Sequence, residues 1–315
     1  MQPLEKEVIK NTLNEKPGFH VWWRLLRPHT LTASFIPVFV GTMLAVLDGS
    51  VHLLLFLAML FASMLIQAAT NMFNEYYDYA RGLDNENSVG IGGTIVRDGI
   101  SPKTVLTLAL TFFAVAMLLG VYICYESNWW IALIGIACML CGYLYTGGPF
   151  PIAYSPFGEL FAGFFMGTVI ILISYYIQTS AITIDAILVS LPIAIFVGMI
   201  LLSNNIRDLD GDKENGRKTI AILLGREKAT ALLAISFSAS YILTLVFIGL
   251  GILPIWAIIS LLSVKKAVDA VKGFIGKTIN FEMIPAMAAT AKTNTIYGLL
   301  LGCSLLAHYF LPLNF

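Results

Sequence analysis

The sequence predicts an all-α integral membrane protein of nine transmembrane helices. Three observations lead there. Of 315 residues, 58% are hydrophobic and 12% are charged, about half the charge of a soluble domain. The apolar residues gather into runs near the roughly 20 that a helix needs to cross ~30 Å of hydrocarbon. All 19 Lys and Arg residues then fall on one side of the layout. Formal net charge is zero, which gives no sign of a nucleic-acid partner.

The first 28 residues read as an N-terminal segment outside the hydrocarbon. Glu5, Lys6, Glu7 and Lys10 precede any apolar run, and no short apolar region with a cleavage site follows, so no signal peptide is expected. Phe19 to Pro28 mixes aromatic and basic residues and suits a lead-in lying at the interface. Residues 29–315 then form one transmembrane domain. Its spans are expected at 30–47, 52–74, 103–124, 128–146, 158–178, 184–205, 229–250, 252–270 and 293–311. The weakest as spans are 128–146 and 252–270. The latter carries Lys265, Lys266 and Asp269 and is expected to leave the membrane there.

With nine spans, the N-terminal tail and the loops after spans two, four, six and eight share a side. The opposite loops hold only Asp48, Glu126 and Asp185 as charges. The positive-inside rule makes the Lys- and Arg-bearing side cytoplasmic and the location the cell membrane.

Two acidic, Asn-containing clusters follow directly on apolar runs: Asn71 to Asp84 and Asn204 to Lys218. Carboxylates at a membrane boundary are costly to dehydrate and usually mark a site. An even number of spans separates the clusters, so both reach the same face. In the first, Asn74 and Asp78 are four apart and share a helix face, Asn71 lies a turn below, Gly82 ends the helix and Asp84 follows. In the second, Asn204, Asp208 and Asp212 recur every four residues and make one stripe if the helix persists past Gly211. Such oxygen donors suit Mg²⁺, which is typically held by a few carboxylates and substrate phosphates. The alternative is solvated interfacial acids or helix caps, which two matched clusters make less attractive than one.

Basic residues follow each cluster: Arg81, Arg97 and Lys103, then Lys213, Arg217 and Lys218. Beside a metal they suit the remaining phosphate charge. For any one of them, and most of all for Lys213, Lys265 and Lys266, the alternative is a charge that serves orientation alone. Between the clusters, Tyr143 to Glu159 is rich in Gly, Pro and Tyr and has no basic residue. Its turns present aromatic rings, and ring faces attract cations such as an allylic carbocation. An interfacial Tyr belt is the competing reading. Cys138 and Cys141 form a C-x-x-C inside an apolar run without a second pair or a nearby His, which reads as packing. Gly163 and Gly167 read as close helix contact within the chain.

These residues resemble the UbiA superfamily of intramembrane prenyltransferases, and most closely its 1,4-dihydroxy-2-naphthoate polyprenyltransferase branch. The resemblance lies in N-E-Y-Y-D-Y-A-R-G-L-D, V-G-I-G-G-T-I-V-R-D-G, Y-T-G-G-P-F-P-I-A-Y and N-N-I-R-D-L-D-G-D-K-E-N-G-R-K-T-I-A-I-L-L-G. Two positions depart from the family pattern: Glu75 stands where the first motif usually has Asp, and Asn204 opens the second motif where many relatives have Asp.

The resemblance implies helices around a central cavity open to the cytoplasmic side. It implies Mg²⁺-dependent transfer of a polyprenyl group from its diphosphate to 1,4-dihydroxy-2-naphthoate, with loss of CO₂, in menaquinone biosynthesis. Asn74, Asp78, Asp84, Asn204, Asp208 and Asp212 would hold metal. Arg97 and Lys218, with Arg81 and Arg217, would bind diphosphate. Tyr143, Tyr145 and Tyr154 would flank the allylic carbon or the acceptor ring. Another acceptor such as 4-hydroxybenzoate, a cation-coupled transporter and a non-catalytic quinone-binding scaffold stay open as alternatives.

The charge asymmetry makes a direct prediction. Cysteines placed in the 84–98 and 211–218 loops should be labelled from the cytoplasmic face, and cysteines at 180–185 or the C-terminus from the outside. Labelling 84–98 from outside would overturn the nine-span order.

Overall fold

The computed structural model describes residues 18–84 and 93–313; among them the chain is a series of helices with no strand. The start of the glycine-rich turn, Val89 to Gly92, lies outside the described residues, as do the charged residues of the N-terminal tail.

The interfacial lead-in is a helix, α1 (Phe19–Leu26). It ends because Arg27 turns left-handed, with φ 50°, and Pro28 then opens α2 (Pro28–Leu47). Proline suits a first helical position, where its missing N–H would have had no partner. The long α3 (Leu53–Ala80) starts under a His52 cap and carries the first motif in its last turns. A short α4 (Thr94–Asp98) precedes α5 (Pro102–Glu126), whose start is capped by Ser101. After α6 (Trp130–Leu144) and the Tyr-rich loop comes α7 (Gly158–Thr179), whose middle, Gly163–Val169, is π-helical. Then follow α8 (Ile184–Arg207), α9 (Leu209–Glu214), α10 (Ile220–Leu224) and α11 (Arg226–Gly249). A 3₁₀ segment, Ile255–Ser263, runs into α12 (Val264–Phe274), and α13 (Asn280–Phe310) ends the bundle.

Among the described residues, six helices have the length and apolar composition to cross a membrane: α2, α3, α5, α7, α8 and α11. The run at 128–146 becomes the shorter apolar α6. The run at 252–270 is half 3₁₀, and its charged half becomes the amphipathic α12. The last helix starts at Asn280 rather than 293 and contains Lys292.

Packing divides along two seams. In one, α2 lies against α7 and α13, and α8 against α7, α11 and α13. Its core includes Ile36, Ile171, Ile193, Phe196 and Tyr297. In the other, α3 packs along α5, with α6 against both. Aromatic contacts from Phe73 to Phe113 and Tyr143 close that seam near the first motif. A space remains between the seams.

The π-helical turn brings α7 onto α8. A Cβ at Gly163 would stand 2.6 Å from the Ala194 carbonyl oxygen, and Gly167 faces Ala194 as well. Both glycines are thus used inside the chain. Because the obstacle is backbone, Gly163→Leu has to push α7 off α8. Overpacking of this kind typically costs about 1–3 kcal/mol, so the variant should melt several degrees below the parent; an unchanged melting temperature would contradict this seam.

Candidate active site

The first motif sits where α3 ends. Asn71 faces the α1–α2 corner and donates through Nδ2 to the Leu26 carbonyl at 3.0 Å and to Thr30 Oγ1 at 2.9 Å. One turn on, Asn74 accepts at Oδ1 from Thr146 Oγ1 at 2.7 Å, which ties the helix to the Tyr-rich loop. Helix α3 stops as expected at Gly82, with φ 74°. The Leu83 N–H reaches back to the Asp78 carbonyl at 2.9 Å and the Gly82 N–H to Tyr79 at 3.0 Å. This is the six-to-one and five-to-two pattern of a Schellman end. It folds Asp84 back over Asp78, whose carbonyl also receives the Asp84 N–H at 3.3 Å.

Glu75 is held by partners other than those of Asp78. It is 1% exposed and accepts from the Gly93 N–H at 3.0 Å, the Ile95 N–H at 3.2 Å and Arg27 Nη2 at 3.3 Å. Its carboxylate anchors the start of α4 and the α1–α2 corner. Sequence reasoning left this role out, because nothing in a single chain links Arg27 to residues 93–95.

In the second motif the expected stripe breaks one step early. The helix ends at Arg207, Asp208 sits at the junction with φ −91° and ψ 6°, and Asp212 belongs to α9. The break is at Asp208 rather than at Gly211. An Asp212 N–H to Asp208 carbonyl bond at 2.9 Å keeps the two turns close. Arg207, 6% exposed, grips both oxygens of Asp208 at 2.8 and 2.6 Å. Next to Asn204, Asn205 donates to Glu159 Oε1 at 2.8 Å and joins α8 to α7.

Arg217 brings the motifs together. Its Nη2 is 2.8 Å from Asp78 Oδ1 and its Nη1 is 3.1 Å from Asp212 Oδ1. Its guanidinium also lies 5.4 Å from the Tyr154 ring centre, and that of Arg81 lies 5.6 Å from the same ring. Arg81 donates to the carbonyls of Thr146 and, at 3.0 Å, Gly148. Tyr143 shares a 2.6 Å hydroxyl contact with Tyr77. Lys218 meets Tyr154 through its main chain, its N–H donating to the Tyr154 carbonyl at 3.1 Å. Arg97 lies on α4, near Gly93, and acts on Asp98. Lys266 pairs with Asp269 on α12, apart from these contacts.

Between the two seams lies a cavity of about 440 Å³. Asn74, Asn204, Tyr145 and Arg27 line its polar end. Met59, Ile123, Cys124 and Ile131 line the other, apolar end. On α3 the lining runs from Met59 to Asn74, about 22 Å of helix rise. Cys138 and Cys141 also line it, as free thiols.

The donor set is oxygen-rich: two Asn amides and four Asp carboxylates, a match for a hard cation. Among the described residues no three His, Cys, Asp or Glu side chains form a ready cage; Asp78, Asp212 and Asp208 are instead engaged by guanidiniums. Burial, and then the neighbouring Glu75 and Asp78, push Asp84 up from 3.8 to about 6. Burial likewise lifts Asp212 to about 6, helped by Asp208 and Asp78 and opposed by Arg217. Both groups hold their proton more tightly folded than unfolded. Between about pH 4 and 6 the folded chain therefore binds more protons, and stability falls as pH rises through that window. In EDTA the melting temperature should drop across this range, and less steeply in Asp212→Asn. Equal slopes would assign the protons elsewhere.

Comparison with known proteins agrees with this architecture. Residues 34–274 match the model of the UbiA prenyltransferase family. The chain is 58% identical over 290 residues to a Bacillus subtilis 1,4-dihydroxy-2-naphthoate octaprenyltransferase, covering 92% of this chain and 93% of that one. It is 30% identical to a Mycobacterium tuberculosis protein of the same name, over 90% of this chain and 95% of the relative. In fold it is similar to an apo UbiA homolog from Aeropyrum pernix, with a TM-score of 0.67 at 17% identity over 87% of this chain and 96% of that one. It is also similar to a UbiA homolog from Archaeoglobus fulgidus bound to GPP and Mg²⁺, with a TM-score of 0.63 at 17% identity over 89% and 99%. Paired Asn/Asp motifs, the apolar cavity between them and these matches together place the chain in the UbiA prenyltransferase family.

Proposed function

We propose that this chain transfers a polyprenyl group from polyprenyl diphosphate to 1,4-dihydroxy-2-naphthoate, releasing CO₂ and giving a demethylmenaquinol for menaquinone biosynthesis. One observation carries the reading: two Asn/Asp motifs from distant parts of the chain meet at the polar end of a long apolar cavity. A diphosphate needs the first and a prenyl tail needs the second. The names of the B. subtilis and M. tuberculosis relatives support the acceptor, and the Mg²⁺ and GPP bound by the A. fulgidus homolog support the donor and the metal.

In this reading Asn74, Asp78, Asp84, Asn204, Asp208 and Asp212 hold Mg²⁺. When bound, the metal stabilises charge developing on the leaving diphosphate. Arg97, Arg217 and Lys218 meet the diphosphate oxygens, and Arg81 acts through the loop carbonyls it holds. The rings of Tyr143, Tyr145 and Tyr154 stabilise positive charge on the allylic carbon. As its C–O bond to diphosphate breaks, the ring carbon bearing the carboxylate attacks. The bond from that carbon to the carboxylate then breaks, and CO₂ leaves with aromaticity restored. The apolar cavity takes the tail.

The membrane arrangement belongs to the same proposal. The six long apolar helices are joined by α6, by the 255–274 segment and by α13 to make nine spans in the cell membrane. The N-terminus, both motifs and the cavity mouth face the cytoplasm. A transporter would place its ion site near the midplane on broken helices; here the motif carboxylates sit at helix ends.

The purified chain, given Mg²⁺, a polyprenyl diphosphate and a panel of aromatic acceptors, should prenylate 1,4-dihydroxy-2-naphthoate with one CO₂ released per transfer, read by mass spectrometry. EDTA should abolish the product. Asp78→Ala or Asp208→Ala should each lower turnover about a hundredfold or more. Full activity without divalent metal would sink the mechanism. Prenylated 4-hydroxybenzoate, with the naphthoate ignored, would overturn the acceptor and leave the metal chemistry standing.

A further inference from the structure

We propose that Arg217 is the resting counter-ion of the composite carboxylate site: it bridges Asp78 and Asp212 until a divalent cation takes those carboxylates and frees the guanidinium for the diphosphate. The inference rests on the diphosphate chemistry proposed above. It concerns one residue that has two successive sets of partners.

Three motif carboxylates are held by two guanidiniums, in different ways. Arg207 is 6% exposed, lies on the last turn of α8, reaches Met287 Sδ at 2.9 Å and holds both oxygens of its neighbour Asp208. It is fixed behind its partner and has nowhere to go. Arg217 lies outside any helix, just after Gly216, whose φ of 76° permits a turn there. Each of its terminal nitrogens meets a different motif, and its Nε has no hydrogen-bond partner among the described residues. The face of Tyr154, 5.4 Å away, offers the guanidinium a contact that does not depend on either carboxylate. Arg217 can thus leave Asp78 and Asp212 without becoming stranded.

Charge decides the order of events. One guanidinium between two carboxylates leaves the pair with net negative charge, so a dication is still attracted. The cation must nevertheless displace an ion pair in a poorly solvated place, which weakens its binding. A diphosphate that accepts the freed guanidinium removes that penalty. Metal and diphosphate then favour each other's binding reciprocally, as linkage requires. Without either, Arg217 keeps the two motifs from repelling one another.

Mn²⁺ binding to the purified full chain, followed by electron paramagnetic resonance without diphosphate, tests this directly. Arg217→Gln should bind Mn²⁺ about tenfold more tightly than the parent. Arg217→Lys should fall between them, because a single ammonium lacks the fork that bridges two carboxylates. In EDTA, Arg217→Gln should melt lower than the parent, and Mn²⁺ should restore it. At saturating Mn²⁺, added inorganic pyrophosphate should raise the parent's melting temperature more than the variant's. Mn²⁺ binding to Arg217→Gln no tighter than to the parent overturns the proposal. Should that variant not fold, Arg217→Lys against the parent decides on the same criterion. A parent chain that prenylates no acceptor would instead sink the functional reading, and the Mn²⁺ comparison would still report on Arg217.

Discussion

Carboxylates buried at the end of a helical bundle need counter-charge, and in this chain that need organises the whole mouth of the cavity. Glu75 has Arg27, Asp98 has Arg24, Asp208 has Arg207, and Asp78 and Asp212 share Arg217. Three of these four arginines come from outside the motif they serve or from its far end, so each of those pairs also fixes a chain segment. Arg27 holds the α1–α2 corner on α3. Arg24 holds α1 on α4. Arg217 closes the second motif onto the first. Removing one partner from a buried pair typically costs about 3–5 kcal/mol, because the other charge is left uncompensated. The mouth is therefore held by interactions that are individually strong but conditional on every partner being present.

Glu75 shows how one methylene changes a role. Its neighbours Asn74 and Asp78 face the Tyr-rich loop and Arg217. Glu75 extends instead to the first turn of α4, where two main-chain N–H groups receive it. Free N–H groups at the start of a helical turn attract a carboxylate. An Asp at this position has a shorter reach. The longer side chain makes Glu75 a brace for residues 93–98, which carry Arg97.

Much of this was legible in the sequence, for reasons that can be named. Long apolar runs have few ways to satisfy their backbone in lipid, so composition and length alone anticipate helices. The end of α3 at Gly82 followed from glycine's access to positive φ, and the meeting of the two motifs followed from the parity of the intervening spans. What the sequence did not yield depends on tertiary pairing. No periodicity links Arg27 to Glu75 or Arg217 to Asp78. The bend at Asp208 coincides with the grip of Arg207 on its carboxylate, a contact that helix spacing cannot register. The 3₁₀ stretch at Ile255–Ser263 and the π-helical turn at Gly163–Val169 are likewise set by neighbours, since local apolar patterns read the same in each.

The two ends of the cavity obey opposite physical demands, and the fold meets both by dividing the work between seams. Along α3, the stretch from Met59 to Ile66 is lined by apolar partners from α5 and α6, while one or two turns on Asn71 is hydrogen-bonded to the α1–α2 corner and Asn74 to the Tyr-rich loop. Neither end tolerates the other's chemistry. A charged group in the apolar end has no counter-ion, and an apolar tail at the mouth displaces no ordered partner. In the proposed reaction a molecule with an anionic head and a long hydrocarbon tail would thereby be oriented before any chemistry begins. Its head would be drawn to the guanidiniums and its tail excluded from them. The bond between head and tail would lie at the boundary, beside Asn74, Asn204 and Tyr145. Orientation of that kind would confine the reacting carbon to one place without gripping it.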